Sequence, residues 1–245
     1  MKSINPRMKT LKSLEDTGED YFTTLLQRGF FQDVTRDYDL GDIISCKMHD
    51  LMHDLARRVA GNESKVIELG TGDIDKGPPH HLSFGYRSSS SVIPASLLGH
   101  PSSVIPASLL GHPPSVIPAS LFQLKSLLTF LSPVGVAGVD ELLCGRIISS
   151  FSCLRVLDLH HLRIETLPSS IGGLMHLRYL DLSFTDVTQL PASITELQNL
   201  QTLKLNSCWK LKVLPADVKK LINLRHLGLY GLDLSLATCL QEWGR

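Results

Sequence analysis

The chain carries no surplus charge. Its 24 lysines and arginines balance 24 aspartates and glutamates, which excludes the basic footprint of a general nucleic-acid binder and the polybasic patch of a membrane anchor. No run approaches the roughly 18 apolar residues of a membrane span, and the amino-terminal MKSINPRMKT lacks the apolar stretch of a signal peptide. A cytoplasmic, intracellular chain is expected. The five cysteines, Cys46, Cys144, Cys153, Cys208 and Cys239, are odd in number and contain no C-x-x-C pair. That pattern supports neither a zinc site nor a disulfide framework, and buried free thiols are expected. The sequence also has no G-x-x-x-x-G-K-[ST], so it lacks the backbone cradle and lysine that hold nucleotide phosphates. What remains is a globular composition, 43% hydrophobic and 20% charged over 245 residues, enough for one large or two modest domains.

What the chain has in quantity is a repeat. Leu154-Leu157-Leu159 recurs as Leu177-Leu180-Leu182, Leu200-Leu203-Leu205 and Leu224-Leu227-Leu229, a period of 23 to 24 residues. A second signature keeps step: Leu167-Pro168 with Ile171 and Leu174, Leu190-Pro191 with Ile194 and Leu197, Leu214-Pro215 with Val218 and Leu221. The first signature, L-x-x-L-x-L, is a short strand with alternate side chains turned inward. The second is a proline-fixed turn followed by apolar positions at roughly helical spacing. A strand and a helical return in so few residues is a leucine-rich repeat, which buries its leucines against its neighbours. The predicted fold class is therefore α/β, a leucine-rich-repeat solenoid, and solenoids mostly bind other molecules.

Upstream, residues 1–18 are polar and lysine-rich and read as a disordered lead-in. A helix is expected from Asp20, with Gly29 as its stop, then a strand at 43–48 and a second helix over 50–59 ending at Gly61. Short strands are expected near 65–69 and 81–84. Residues 91–102 and 103–114 are near-identical 12-residue copies, SVIPASLLGHPS and SVIPASLLGHPP, and SVIPASLF begins again at Ser115. The third copy aligns with the solenoid through Leu121, Leu124, Leu127 and Phe130. The two earlier copies are too short to complete a repeat and read as a tandem duplication forming a loop.

Residues 46–61 read CKMHDLMHDLARRVAG, preceded at 21–34 by YFTTLLQRGFFQDV and followed by RVLDL and LPSSIGGLMHLRYLDLS. Together these resemble the plant nucleotide-binding leucine-rich-repeat disease-resistance proteins. The resemblance implies a small winged-helix remnant of the nucleotide-binding region at 19–62, ending in the motif Met48-His49-Asp50, and leucine-rich repeats over 63–245 that stop within the stack. It also implies that His49 senses bound ADP, with Asp50 orienting the loop, in a full-length receptor that uses ADP or ATP. No cofactor is expected for this chain itself, and no catalysis. The implied function is recognition and autoinhibition within an intracellular plant immune receptor, the repeats sensing a pathogen effector or a host protein. The implied partners are proteins, including the receptor's own nucleotide-binding domain, with no nucleic acid and no membrane segment. A non-catalytic adaptor or decoy is the alternative. A metal-dependent hydrolase built on His49, Asp50 and His53 is more remote, because Asp50 stands where H-E-x-x-H needs Glu and no third ligand is evident.

On each repeat strand the non-leucine positions face the concave surface. The residues expected to bind a protein partner are Arg155, Asp158 and His160; Arg178, Tyr179 and Asp181; Lys204 and Asn206; and Arg225, His226 and Tyr230. Arginine and tyrosine are favoured anchors at such faces. Trp209, in the turn of the longer repeat, reads as an aromatic that packs within that turn.

Overall fold

A computed structural model describes residues 13–36, 43–68, 78–85, 119–132 and 141–232. The duplicated 12-residue copies at 91–114 lie outside the described residues, as do most of the expected lead-in and Cys239. The chain divides into two compact units, with the boundary in sequence between Gly61 and Asn62.

In the first unit the chain starts helical earlier than its composition suggests. Helix α1 spans Leu14–Gln27, and Ser13 and Asp16 close a reciprocal capping box on its first turn. Residues 14–18, expected to be disordered, are therefore helical, and Asp20 lies inside the helix. Gly29 ends it as expected: its φ is +73°, its N–H donates to Leu26 O and the Phe30 N–H donates to Leu25 O, both at 3.0 Å. The next segment departs from the expected helix–strand–helix order. Phe31–Arg36 forms strand β1, antiparallel to β2 (Ile43–Met48), with Phe31 opposite Met48. The Phe31 ring packs on Phe22 of α1, centroids 5.2 Å apart. Helix α2 follows over Asp50–Ala60, so the order is helix, two strands, helix.

The second unit is a single parallel sheet of seven strands in sequence order: β3 (Ser64–Glu68), β4 (His81–Gly85), β5 (Thr129–Leu131), β6 (Val156–Asp158), β7 (Tyr179–Asp181), β8 (Thr202–Lys204) and β9 (His226–Gly228). The register stacks one inward column, Leu82, Phe130, Leu157, Leu180, Leu203 and Leu227. All but Leu227 are fully buried; Leu227 is half-buried. The two upstream strands expected near 65–69 and 81–84 are thus the first two of this stack. The returns are single turns of 3-10 helix at Ala119–Gln123, Ser169–Gly173, Ala192–Glu196 and Val218–Lys220. Pro168 and Pro191 precede two of them at φ −67° and −66°, and so few residues between proline and the next leucine leave no room for a longer helix. Side-chain amides stitch the returns together: Asn199 donates to Met175 O at 2.7 Å and Asn223 to Gln198 O at 2.6 Å. The exception is α3 (Glu141–Ser150), a full α-helix on the return side that buries Cys144, Ile147 and Ile148.

Candidate recognition surface

Strands β6 to β9 are three residues long, each with its middle leucine inward and its flanking residues on the concave face. Asp158, Asp181 and Lys204 therefore stand in register on β6, β7 and β8. Just past each strand the backbone turns sharply: His161, Phe184 and Ser207 have φ of +59°, +59° and +54°, and Gly231 occupies the same place at +75°. This left-handed position is costly for a residue with a Cβ, and it recurs because every strand must turn out of the sheet at the same point.

The two aspartates hold these turns. Asp158 Oδ1 accepts from the His160 N–H at 3.0 Å and lies 2.6 Å from His160 Nδ1. Asp181 Oδ1 accepts from the Ser183 N–H at 2.9 Å, and its Oδ2 accepts from the Tyr179 hydroxyl at 2.9 Å. Lys204 Nζ stands 3.8 Å from Asp181 Oδ2 and 5.4 Å from the centre of the Tyr179 ring. Between them lies an open hollow of about 350 Å³, lined by Asp158, His160, Tyr179, Asp181, Ser183, Phe184, Lys204 and Asn206.

The electrostatics follow from this packing. The hydrogen bond to Asp158 lifts the His160 imidazole above its ordinary value, against the opposing effect of burial. Burial lowers that of His161, whose ring stacks on Phe184 with centroids 4.4 Å apart. Burial, then the charge of Asp181, pushes the Tyr179 hydroxyl well up, so the phenol stays a donor. Two of the thiols are buried as expected, and burial pushes Cys144 up to about 12 and raises Cys208; Cys46 and Cys153 are only half-buried.

Six of the residues expected to bind a partner come together here: Asp158, His160, Tyr179, Asp181, Lys204 and Asn206. The others do not. Arg155, Arg178 and Arg225 are exposed ahead of their strands, and His226 and Tyr230 belong to the repeat beyond. Lys204 stands 3.8 Å from Asp181, and Asp181 is buried, folded into the turn it caps. Ser183 and Phe184 complete the hollow. Phe184 shares the position of His161 one repeat earlier, and that recurrence was the available signal. Trp209 is 66% exposed, and the far edge of its ring lies close to Gly231 in the turn of the next repeat.

In the first unit His49 is the N-cap of α2, its Nδ1 accepting from the Leu51 N–H at 3.3 Å. In the neutral ring this puts the proton on Nε2, leaving a single ring donor. Asp50 opens the first helical turn, favourable beside the helix N-terminus. One imidazole donor is not a phosphate cradle, and the residues present do not by themselves fit a nucleotide. His53 sits 3.9 Å from Asp54 on the exposed helix surface. Among the described residues no three His, Cys, Asp or Glu gather as a metal site would require.

These features match known families. The family described as "Leucine-rich repeat region" matches residues 117–241, and "Disease resistance protein Winged helix domain" matches residues 4–56. The chain belongs to the leucine-rich-repeat disease-resistance proteins. The Arabidopsis thaliana relative At3g14460, named for disease resistance, is 35% identical over 171 residues, 68% of this chain but 10% of the relative. A second, At1g50180, is 33% identical over 64 residues, 26% of this chain and 8% of the relative. The chain thus spans a small part of these relatives. A Leptospira interrogans leucine-rich-repeat protein of known structure is 28% identical, with a TM-score of 0.41 over 48% of this chain and 29% of that one. Members of this disease-resistance family are generally non-enzymatic, and leucine-rich repeats generally mediate protein interaction. No helix among the described residues is long and apolar enough to cross a membrane.

Proposed function

We propose that this chain is the recognition and autoinhibition part of an intracellular plant immune receptor. The repeats bind a pathogen effector or a guarded host protein, and the winged-helix unit links that event to a nucleotide switch carried elsewhere in the receptor. The observation that carries this reading is the pairing, in one disease-resistance chain, of the Met48-His49-Asp50 helix start with a repeat sheet whose concave face gathers Tyr179, Asp181 and Lys204 in one hollow. A polar, aromatic-flanked concavity on rigid strands suits a protein surface better than a small substrate, since it is open and holds no activated nucleophile. His49 acts as the sensor through its remaining ring N–H, and Asp50 fixes the helix start beside it.

Two variants of a receptor carrying this chain test the two halves. With His49→Ala, signalling should rise without challenge, while His53→Ala should act only through stability. With Tyr179→Ala, resting signalling should stay low and the response to challenge should fall. Unchanged behaviour in both His49→Ala and Tyr179→Ala, at matched protein levels, overturns the reading.

A further inference from the structure

We propose that the hollow over β6, β7 and β8 receives an arginine side chain presented by the partner protein. This rests on the recognition reading above and adds the chemistry that the partner must carry. Asp158 uses one carboxylate oxygen twice, for the N–H and the ring of His160, while no hydrogen bond or ion pair among the described residues reaches its Oδ2. The side chain is 17% exposed, open to a ligand but poorly supplied with solvent. Independently, Ser183 is among the residues lining the same hollow, is only 5% exposed, and its buried Oγ has no hydrogen-bond partner. Buried polar atoms are rarely left unpaired, so a ligand whose donors reach both sites relieves a cost already present in the free protein.

The wall of the hollow narrows the choice of donor. Phe184, 46% exposed, lines the hollow, and its aromatic ring is held by a left-handed backbone and by stacking on His161. A guanidinium combines planar stacking with several N–H groups in a fixed fork, whereas a lysine ammonium is a point charge that stacks poorly. An anionic group would meet Asp158 and Asp181 at close range. Lys204, 3.8 Å from Asp181, is the built-in opponent: its charge repels an entering cation and sets the strength of binding.

Titration of the full chain with acetylated, amidated Gly-Arg-Gly, and with its citrulline and lysine counterparts, tests this. The arginine peptide should bind in the millimolar range, about tenfold tighter than the uncharged citrulline peptide and a few-fold tighter than the lysine one. Amide shifts should centre on β6 to β8. Asp158→Asn should weaken arginine binding about tenfold, and Lys204→Met should strengthen it several-fold. Asp158 also holds the His160 turn, so loss of binding alone could reflect misfolding; a gain in Lys204→Met cannot. No arginine binding, equal affinity for arginine and citrulline peptides, or no gain in Lys204→Met overturns the inference. The two readings fail separately. If Tyr179→Ala abolishes the receptor's response but the peptides are not discriminated, only the arginine assignment falls.

Discussion

Asp158 and Asp181 stand in register on neighbouring strands, and each accepts the backbone N–H two residues ahead, at 3.0 and 2.9 Å. The same carboxylates that shape the concave hollow therefore also fix the turns on either side of it. The hollow and the turns share these side chains, which makes the two contributions separable only by variants that change one at a time.

Asp181→Ala should destabilise the chain by about 1–3 kcal/mol, because it strands the Ser183 N–H and the Tyr179 hydroxyl in a buried place. Asp186→Ala is the comparison. Asp186 is 40% exposed and paired with Lys210 at 3.2 Å, and losing such a pair should cost no more than about 1 kcal/mol. Urea unfolding of both variants measures the difference, and equal losses would show that the Asp181 turn is not structural.

His160 should make part of the stability pH-dependent. Its folded pKa lies above the ordinary 6.5, first through the bond to Asp158, with Asp181 adding to the lift and burial and Lys204 opposing it. A group with a raised folded pKa stabilises the fold fully below its unfolded pKa and loses that contribution as pH rises through the folded value. The advantage of the wild type over His160→Asn should therefore shrink as pH is raised from below 6.5 through the higher folded value. His161 shifts the opposite way, with burial as the main cause, but it is common to both proteins and largely cancels. An advantage that grows with pH would reverse the assignment of the His160–Asp158 bond.

Gly172 should tolerate no side chain. A Cβ there would stand 2.6 Å from Glu196 Oε2 and 2.8 Å from the Ser193 carbonyl oxygen of the next return. The carboxylate can move and the backbone cannot, so Gly172→Ala should cost about 1–3 kcal/mol through overpacking. At Gly173 a Cβ meets nothing within 4 Å, and Gly173→Ala should be neutral or stabilising by a few tenths of a kcal/mol. Thermal melting of the pair decides whether the returns pack as closely as described.

The repeat register was legible because it is written redundantly. Every leucine of L-x-x-L-x-L and every apolar position after Leu-Pro constrains the same period, and Leu154, Leu157 and Leu159 are buried as that period requires. Ser13 and β1 were obscured by their surroundings. A single capping residue in a lysine-rich stretch carries little weight against composition, and Phe31–Arg36 becomes a strand only by pairing with Ile43–Met48. Helix α3 interrupts the repeat with a return of its own, which periodicity alone does not announce. The concave face was assigned residue by residue from strand alternation. Which members converge depends on the left-handed turns at His161 and Phe184 and on the burial of Asp181, and both are products of the stacked sheet.

The central claim is that the concave face of this chain is what meets the partner. Expressing the chain in plant cells beside an intact receptor that carries the same repeats tests it most directly, because a chain that binds the partner competes for it. The wild-type chain should reduce the receptor's response to challenge. Tyr179→Ala with Phe184→Ala, both at the hollow, should abolish that competition, while Met175→Ala with Ile222→Ala, exposed and away from it, should leave it intact. Competition that survives the hollow variant and disappears with the other pair would contradict the account.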